Sequence, residues 1–134
     1  MEELVSLFKK VLSGEEEEVF CEETLVEEVF SQEDISEEEA ERIVKEVFET
    51  EIPEIISKAL TYLGYRSIIY LRIEEVRAPE YLVLAIKGEK IICLGLDVEY
   101  DYYDNKIMLL TIMRMDCDSL CVYMPHYNHV LTSF

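Results

Sequence analysis

The chain has 134 residues, half of them apolar, and a formal net charge of −18. That is one domain of ordinary size with enough apolar side chains for a core; no run of about 18 apolar residues offers a membrane span, and Met1-Glu2-Glu3 has none of the basic character of a secretory or transit segment. A cytoplasmic protein that docks on no membrane is expected.

The charge is lopsided. Residues 1–54 carry 20 acidic and 4 basic side chains, a net of −16, whereas residues 55–134 carry 10 and 8, a net of −2. Affinity for nucleic acid is driven by neutralising phosphates with basic side chains, so direct DNA or RNA binding is argued against. A basic protein partner suits the charge; so does simple solubility. Two Asn and one Gln against 24 Glu is a composition that points to a thermophilic source, although lysine is not enriched.

In chain order, residues 3–12 predict a short helix with Leu4, Leu7, Phe8, Val11 and Leu12 on one stripe. Ser13-Gly14 ends it. Glu15 to Phe30 predicts a second helix, with Ser13 as N-cap and Glu16 three residues on; a strand at Glu18–Cys21 is the alternative. Its stripe is Val19, Leu25, Val26, Val29 and Phe30. Ser31 to Ile35 is a linker. Ser36 caps a third helix with Glu39 at the reciprocal position, and Ala40, Ile43, Val44, Val47 and Phe48 form its apolar face. Past Pro53 the apolar positions are Ile55, Ile56, Ala59, Leu60 and Leu63. At about 100° per residue this second set is rotated by roughly a quarter turn from the first. A break or sharp kink near Pro53 is therefore expected, giving two packed helices that stop at Gly64. Glu-Val-Phe occurs at 18–20, 28–30 and 46–48, with unequal spacings that make it compositional bias rather than a repeat.

The second half reads as a β-meander. Ser67 to Val76 is β-branched and aromatic, and Ala78-Pro79-Glu80 interrupts it. Tyr81 to Ile86 is a nearly continuous apolar run, the pattern of a central strand covered on both faces. Lys87 to Lys90 is a turn around Gly88. Ile91 to Tyr102 and Lys106 to Met115 form a hairpin about Asp104-Asn105. A two-residue loop there pairs Tyr103 with Lys106, Tyr102 with Ile107 and Tyr100 with Leu109. One face then carries Leu94, Leu96, Val98, Tyr100, Tyr102, Ile107, Leu109, Thr111 and Met113. The other carries Asp97, Glu99 and Asp101 across from Ile112, Leu110 and Met108. Leu120 to Met124 is expected as a fifth strand, and Pro125 onward as an irregular tail.

Three patterns are candidates for chemistry. Cys117 and Cys121 with His126 and His129 are a possible tetrahedral zinc set, although their spacing is loose for common zinc frameworks; Cys21 and Cys93 suit small core positions. A disulfide runs against a cytosolic setting, less so in a thermophile. Asp97, Glu99 and Asp101 alternate on one strand face, where three acids can bind magnesium or calcium for metal-dependent hydrolysis; polar strand positions facing water are the commoner reading. Met108, Leu110 and Ile112 beside those acids form a mixed face suited to a partner or a second copy. No nucleophile elbow and no phosphate-cradling glycine loop is present.

The expected architecture is α+β in a single domain, 1–134: acidic amphipathic helices in residues 1–64, packed on one face of a four- or five-stranded antiparallel β-meander at 65–124, then a tail at 125–134. The expected function is a non-enzymatic regulatory protein, with no cofactor. It would inhibit a basic, nucleic-acid-binding partner by imitating nucleic-acid charge through Glu15, Glu16, Glu17, Glu18, Glu22, Glu23, Glu27, Glu28, Glu37, Glu38 and Glu41. The alternative is a small homodimer with a ligand, hydrolase or zinc site at the positions named above.

Overall fold

The computed structural model describes residues 2–21, 27–28, 36–101 and 103–134, with the side chains of Glu27 and Glu28 left aside. Helix α1, Glu2–Leu12, buries Leu4, Phe8, Val11 and Leu12, the stripe its spacing predicts. Its first turn is acidic and its last turn basic, which suits the helix dipole at both ends. Ser13 does not cap a second helix. Its hydroxyl closes α1 by donating to the Lys10 carbonyl at 3.2 Å, and the chain then enters an extended segment.

That segment is the first correction. Where residues 15–30 are described, the strand alternative holds in place of the helix: the chain forms strand β1, Glu18–Phe20, and the two-residue strand β2, Glu27–Glu28, while Leu25, Val26, Val29 and Phe30 of the expected stripe and the expected linker Ser31 to Ile35 lie outside the described residues. Both strands pair antiparallel with β6, Lys106–Met115. The physical reason is tertiary. An open strand edge with an apolar row supplies backbone partners and burial that outweigh glutamate's helix preference, and acidic residues are tolerated on an edge strand. Val19 is buried while its neighbours Glu18 and Phe20 are exposed, the alternation of a half-covered strand.

Helix α2, Glu37–Glu46, starts as expected, with the Ser36 hydroxyl accepting from the Glu39 N–H at 3.2 Å. The expected break takes another form. A π-helical turn, Val47–Glu51, leads without a non-helical residue into α3, Ile52–Tyr62. A π turn holds about one residue more than an α turn, and one residue is about 100° of rotation. It therefore supplies the quarter-turn offset between the two apolar stripes. Within it the Ile52 N–H reaches back five residues to the Val47 carbonyl. In that register the Phe48 carbonyl would take the N–H of residue 53, but Pro53 has none. The Tyr81 hydroxyl takes its place, donating to the Phe48 carbonyl at 2.6 Å. Tyr81 itself is fully buried, and burial raises its phenol well above the ordinary range, the Glu80 charge adding to this.

The remaining strands are β3, Arg66–Arg72; β4, Tyr81–Lys87; β5, Lys90–Asp101; and β7, Tyr127–Ser133. They complete one antiparallel sheet in the order β1-β6-β5-β4-β3-β7, with β2 also paired to β6. The fold is thus α+β with the expected β3-to-β6 meander inside a larger sheet. Two further expectations fail. Leu120–Tyr123 is a helical turn, α4, and residues 127–133 form the edge strand β7 rather than a tail. Both follow from connectivity: β6 and β7 are separated by three strands, so residues 116–126 must cross roughly 19 Å of sheet at about 4.8 Å per strand. Short helical turns, opened by Asp116 capping the Asp118 N–H, carry them across.

The hairpin register is also corrected. Asp101 pairs with Lys106, Tyr100 with Ile107 and Val98 with Leu109, with a slip between Asp97 and Val98 that leaves Leu110 as an extra residue on β6. Such a β-bulge reverses the side-chain phase beyond it. Ile112, expected outside, is fully buried opposite Leu96, and Thr111, expected inside, lies opposite Asp97.

The core lies between the sheet and two helices. α1 contacts β1 and β6, α3 contacts β3 and β7, and the helices contact each other. Phe8, Leu60, Ile69, Tyr81, Leu94, Leu96, Ile107 and Ile112 join in one cluster. The acidic helix α2 buries none of its residues, so the helices that cover the sheet are not the acidic one. On the opposite, outer face a smaller cluster of Leu82, Cys93, Leu120 and Tyr127 lies under the 116–126 crossing. The central strand β4 is therefore covered on both faces over part of its length. No helix among the described residues is long and apolar enough to cross a membrane.

Candidate functional site

The acids of the first half are placed at the surface wherever they are described. Glu15, Glu16 and Glu17 are exposed in the turn after α1, Glu18 is exposed on β1, and Glu37, Glu38 and Glu41 are exposed on α2. Glu27 and Glu28 are held on β2 by pairing with Ile107 and Lys106, while Glu22 and Glu23 lie outside the described residues. The ion pairs along α2 are loose. Arg42 lies 3.8 Å from both Glu39 and Glu46, and Lys45 lies 3.9 Å from Glu49. At such exposure and distance they neutralise little.

Asp97, Glu99 and Asp101 share the outer face, but each is engaged differently. Asp97 accepts a hydrogen bond from the Thr111 hydroxyl at 3.0 Å. Asp101 accepts from the backbone N–H of Tyr103 at 2.9 Å, so it organises the turn. Glu99 is exposed and opposite Met108. Glu99, Asp101, Met108, Tyr100 and Tyr103 line a shallow cleft of about 320 Å³. Of the three apolar residues expected beside the acids, Met108 and Leu110 stay partly exposed and Ile112 is lost to the core.

Asp97 belongs instead to a polar row that crosses the outer face. Thr111 on β6 faces Asp97 on β5, and Arg72 on β3 faces Tyr127 on β7. Glu80, next to β4, joins them: the Arg72 guanidinium contacts its carboxylate at 3.0 Å. The same guanidinium donates to the carbonyls of Val76, at 3.0 Å, and Ala78, at 2.5 Å. Arg72 thereby ties down the loop between β3 and β4. The Tyr127 hydroxyl donates to the Pro79 carbonyl of that loop. Burial pushes the Glu80 carboxyl above its ordinary range; Arg72 pulls it down, and Asp97 and Glu75 raise it further. Burial likewise pushes the Tyr127 phenol up to about 12, against the pull of Arg72. The polar atoms of the row are engaged by Thr111–Asp97, by Arg72–Glu80 and by the loop carbonyls of Val76, Ala78 and Pro79, which suits a structural clamp better than acid–base exchange.

The four expected zinc ligands are dispersed among other bonds. Cys117 forms a disulfide with Cys93, their Cα atoms 5.4 Å apart, so its sulfur is not a free thiolate. Cys93 is buried as expected, yet as half of that bond. Cys121 is exposed, its thiol 3.6 Å from the Asp118 carbonyl. His126 is paired with Glu74. His129 meets the Thr132 hydroxyl at 2.5 Å and packs edge-on against Tyr70. Among the described residues no group of three or more His, Cys, Asp or Glu is placed to hold a metal ion. Cys21 is a buried free thiol, pushed up to about 11 by burial and then by Glu3.

One further cleft is lined by residues that, apart from His129, the sequence did not single out as a site. It holds about 420 Å³ between the π turn, through Glu49 and Thr50, and the β3–β7 edge, through Leu71, Ile73, Asn128, His129 and Val130. The offset apolar stripes around Pro53 were the signal for the π turn that makes one wall.

Comparison with protein-family models, curated proteins and solved structures finds no match to this chain.

Proposed function

We propose that the protein is a non-enzymatic interaction module whose acidic surface engages a basic, nucleic-acid-binding protein and competes there with nucleic acid. The observation that carries this reading is the state of α2. It buries none of its side chains, yet it is capped, and it holds Glu37, Glu38 and Glu41 in solvent with few cations near them. A helix that contributes so little to the core is available for another task. Glu15 to Glu18 add a second exposed acidic stretch. Carboxylates displayed in this way substitute for phosphate charges and steer a basic partner, with an attraction screened over about 8 Å at physiological ionic strength.

The test is a pull-down from source-cell lysate, washed at low and then high salt, followed by competition. The reading expects a basic protein that elutes sharply with salt and whose DNA or RNA binding this chain blocks. A variant carrying Glu15→Lys, Glu16→Lys, Glu37→Lys and Glu38→Lys should lose that partner. Unchanged retention by this variant would refute the reading. The engagements of Asp97 and Asp101 described above favour no hydrolytic alternative.

A further inference from the structure

Two backbone irregularities face the same cleft. One wall is the π turn, which presents Glu49 and Thr50. The other is β7, where the register to β3 slips between Ile69 and Tyr70 and leaves Val130 as the extra residue. Single π turns and β-bulges both concentrate at functional sites, because each re-aims side chains at a cost in regularity. The lining is mostly polar, through Glu49, Thr50, Asn128 and His129, with Leu71, Ile73 and Val130 supplying its smaller apolar part, and its volume of about 420 Å³ is ample for one long side chain.

The cleft adjoins an open edge. β7 is the last strand of the sheet on its side, and among the described residues nothing pairs with its outer edge. Exposed edges are ordinarily guarded by charged residues or proline. Tyr127–Ser133 has neither, whereas the opposite edge carries Glu18, Glu27 and Glu28. The bulge at Val130 limits a ladder on β7 to a short stretch. A chain of net charge −18 also repels its own copy. Glu49 meets Lys45 only at 3.9 Å and in solvent, so its carboxylate retains most of its pull on a second cation.

We propose that β7 and this cleft form a docking groove for a short, extended, basic segment of a partner protein. The segment adds as a strand along β7. One of its lysine or arginine side chains lays its methylene stem on Leu71, Ile73 and Val130 and brings its charge to Glu49. The proposal rests on the reading of the protein as a module for basic partners and states where such a partner is gripped.

The test measures fluorescence anisotropy of a capped hexapeptide of alternating valine and lysine with the full chain. Two companion peptides are the same sequence with alternate backbone amides N-methylated, and a valine–glutamate version. The groove expects the basic peptide to bind, the acidic one to fail, and N-methylation to weaken binding about tenfold, because it removes ladder hydrogen bonds and leaves charge intact. Glu49→Gln, at an exposed site, should weaken it about fivefold. Binding that ignores N-methylation and Glu49→Gln but disappears with Glu37→Lys and Glu38→Lys would overturn the groove and leave the acidic-surface reading standing. No peptide binding, in a protein that still holds its basic partner, would also overturn it. So would sedimentation showing a dimer that N-terminal charge reversal leaves intact and His129→Pro dissociates, since a second copy would then own the edge.

Discussion

The two faces of the sheet are covered by different means. On the inner face α1 and α3 lie over a continuous apolar surface, and nothing covalent holds them there. On the outer face the cover is the 116–126 crossing, whose Leu120 joins Leu82, Cys93 and Tyr127 in a small buried cluster and which the Cys93–Cys117 disulfide fixes, with the Thr111–Asp97 and Arg72–Glu80 contacts running across the sheet nearby. A helix layer is stabilised by area; a short crossing buries too little area and needs staples. The two faces should therefore fail in different ways.

The largest effect is expected from truncating the two faces separately. Leu96 and Leu82 are both fully buried, one inside and one outside. Leu96→Ala should cost about 3–5 kcal/mol in urea unfolding, with or without reductant. Leu82→Ala should cost about as much in the oxidised protein and clearly less after reduction, when its cover is loosened. Equal responses to reductant would erase the distinction between the faces. Next in size is the disulfide. Its cysteines are 24 positions apart. Replacing both Cys93 and Cys117 by Ala should lower stability by about 3 kcal/mol through lost constraint on the unfolded chain. Hydrogen exchange should rise first in 117–126 and leave α3 protected until global unfolding.

Two inner-face groups sharpen the comparison further. Tyr81→Phe keeps the ring stack on Phe48, whose centroid lies 6.4 Å away, and strands the Phe48 carbonyl. A loss of about 2 kcal/mol is expected by thermal unfolding. Ser67 is fully buried on β3 and its hydroxyl has no hydrogen-bond partner among the described residues. Ser67→Ala should therefore raise stability, by about 1 kcal/mol. A loss of stability would mean that an ordered water serves this hydroxyl.

What could be read in advance follows the same division. The stripe of α1, the Ser36 cap and the continuous run of β4 are local patterns, and the inner face follows from them. The offset stripes around Pro53 were visible, but a proline suggests a kink, and the π turn depends on Tyr81, far along the chain, to satisfy Phe48. At residues 18–20 the local pattern left helix and strand both open, and the edge that β6 offers, which no local window contains, decides for the strand. The bulge at Leu110 reversed Thr111 and Ile112 because register is set by pairing across the whole hairpin. For the candidate sites, alternation correctly put Asp97, Glu99 and Asp101 on one face. It said nothing of the Arg72–Glu80 pair, which lies on the same face and whose carboxylate feels the Asp97 charge. Cys117 could be paired only once the crossing over Cys93 was known. β7 was hidden because its apolar residues are interleaved with Asn128, His129 and Thr132.

The smallest expected effect concerns pH and the outer face alone. Burial raises the Glu80 carboxyl above its unfolded value even though Arg72 opposes the shift. A carboxyl raised in the folded state binds its proton more tightly when folded than when unfolded. Its contribution is therefore fully present below the unfolded pKa and is lost as pH rises through the folded pKa. Stability should fall slightly across that interval, just above the ordinary glutamate range. Glu80→Gln should flatten this slope, keeping a neutral side chain of the same shape beside Arg72 at every pH. The Arg72 guanidinium retains the carbonyls of Val76 and Ala78, so the loop between β3 and β4 should stay closed. Urea midpoints measured from about pH 4 to pH 7 for both proteins decide the point. A slope that survives Glu80→Gln would move its origin to other carboxylates, and the polar row would then stabilise the outer face through the Arg72 carbonyl bonds alone.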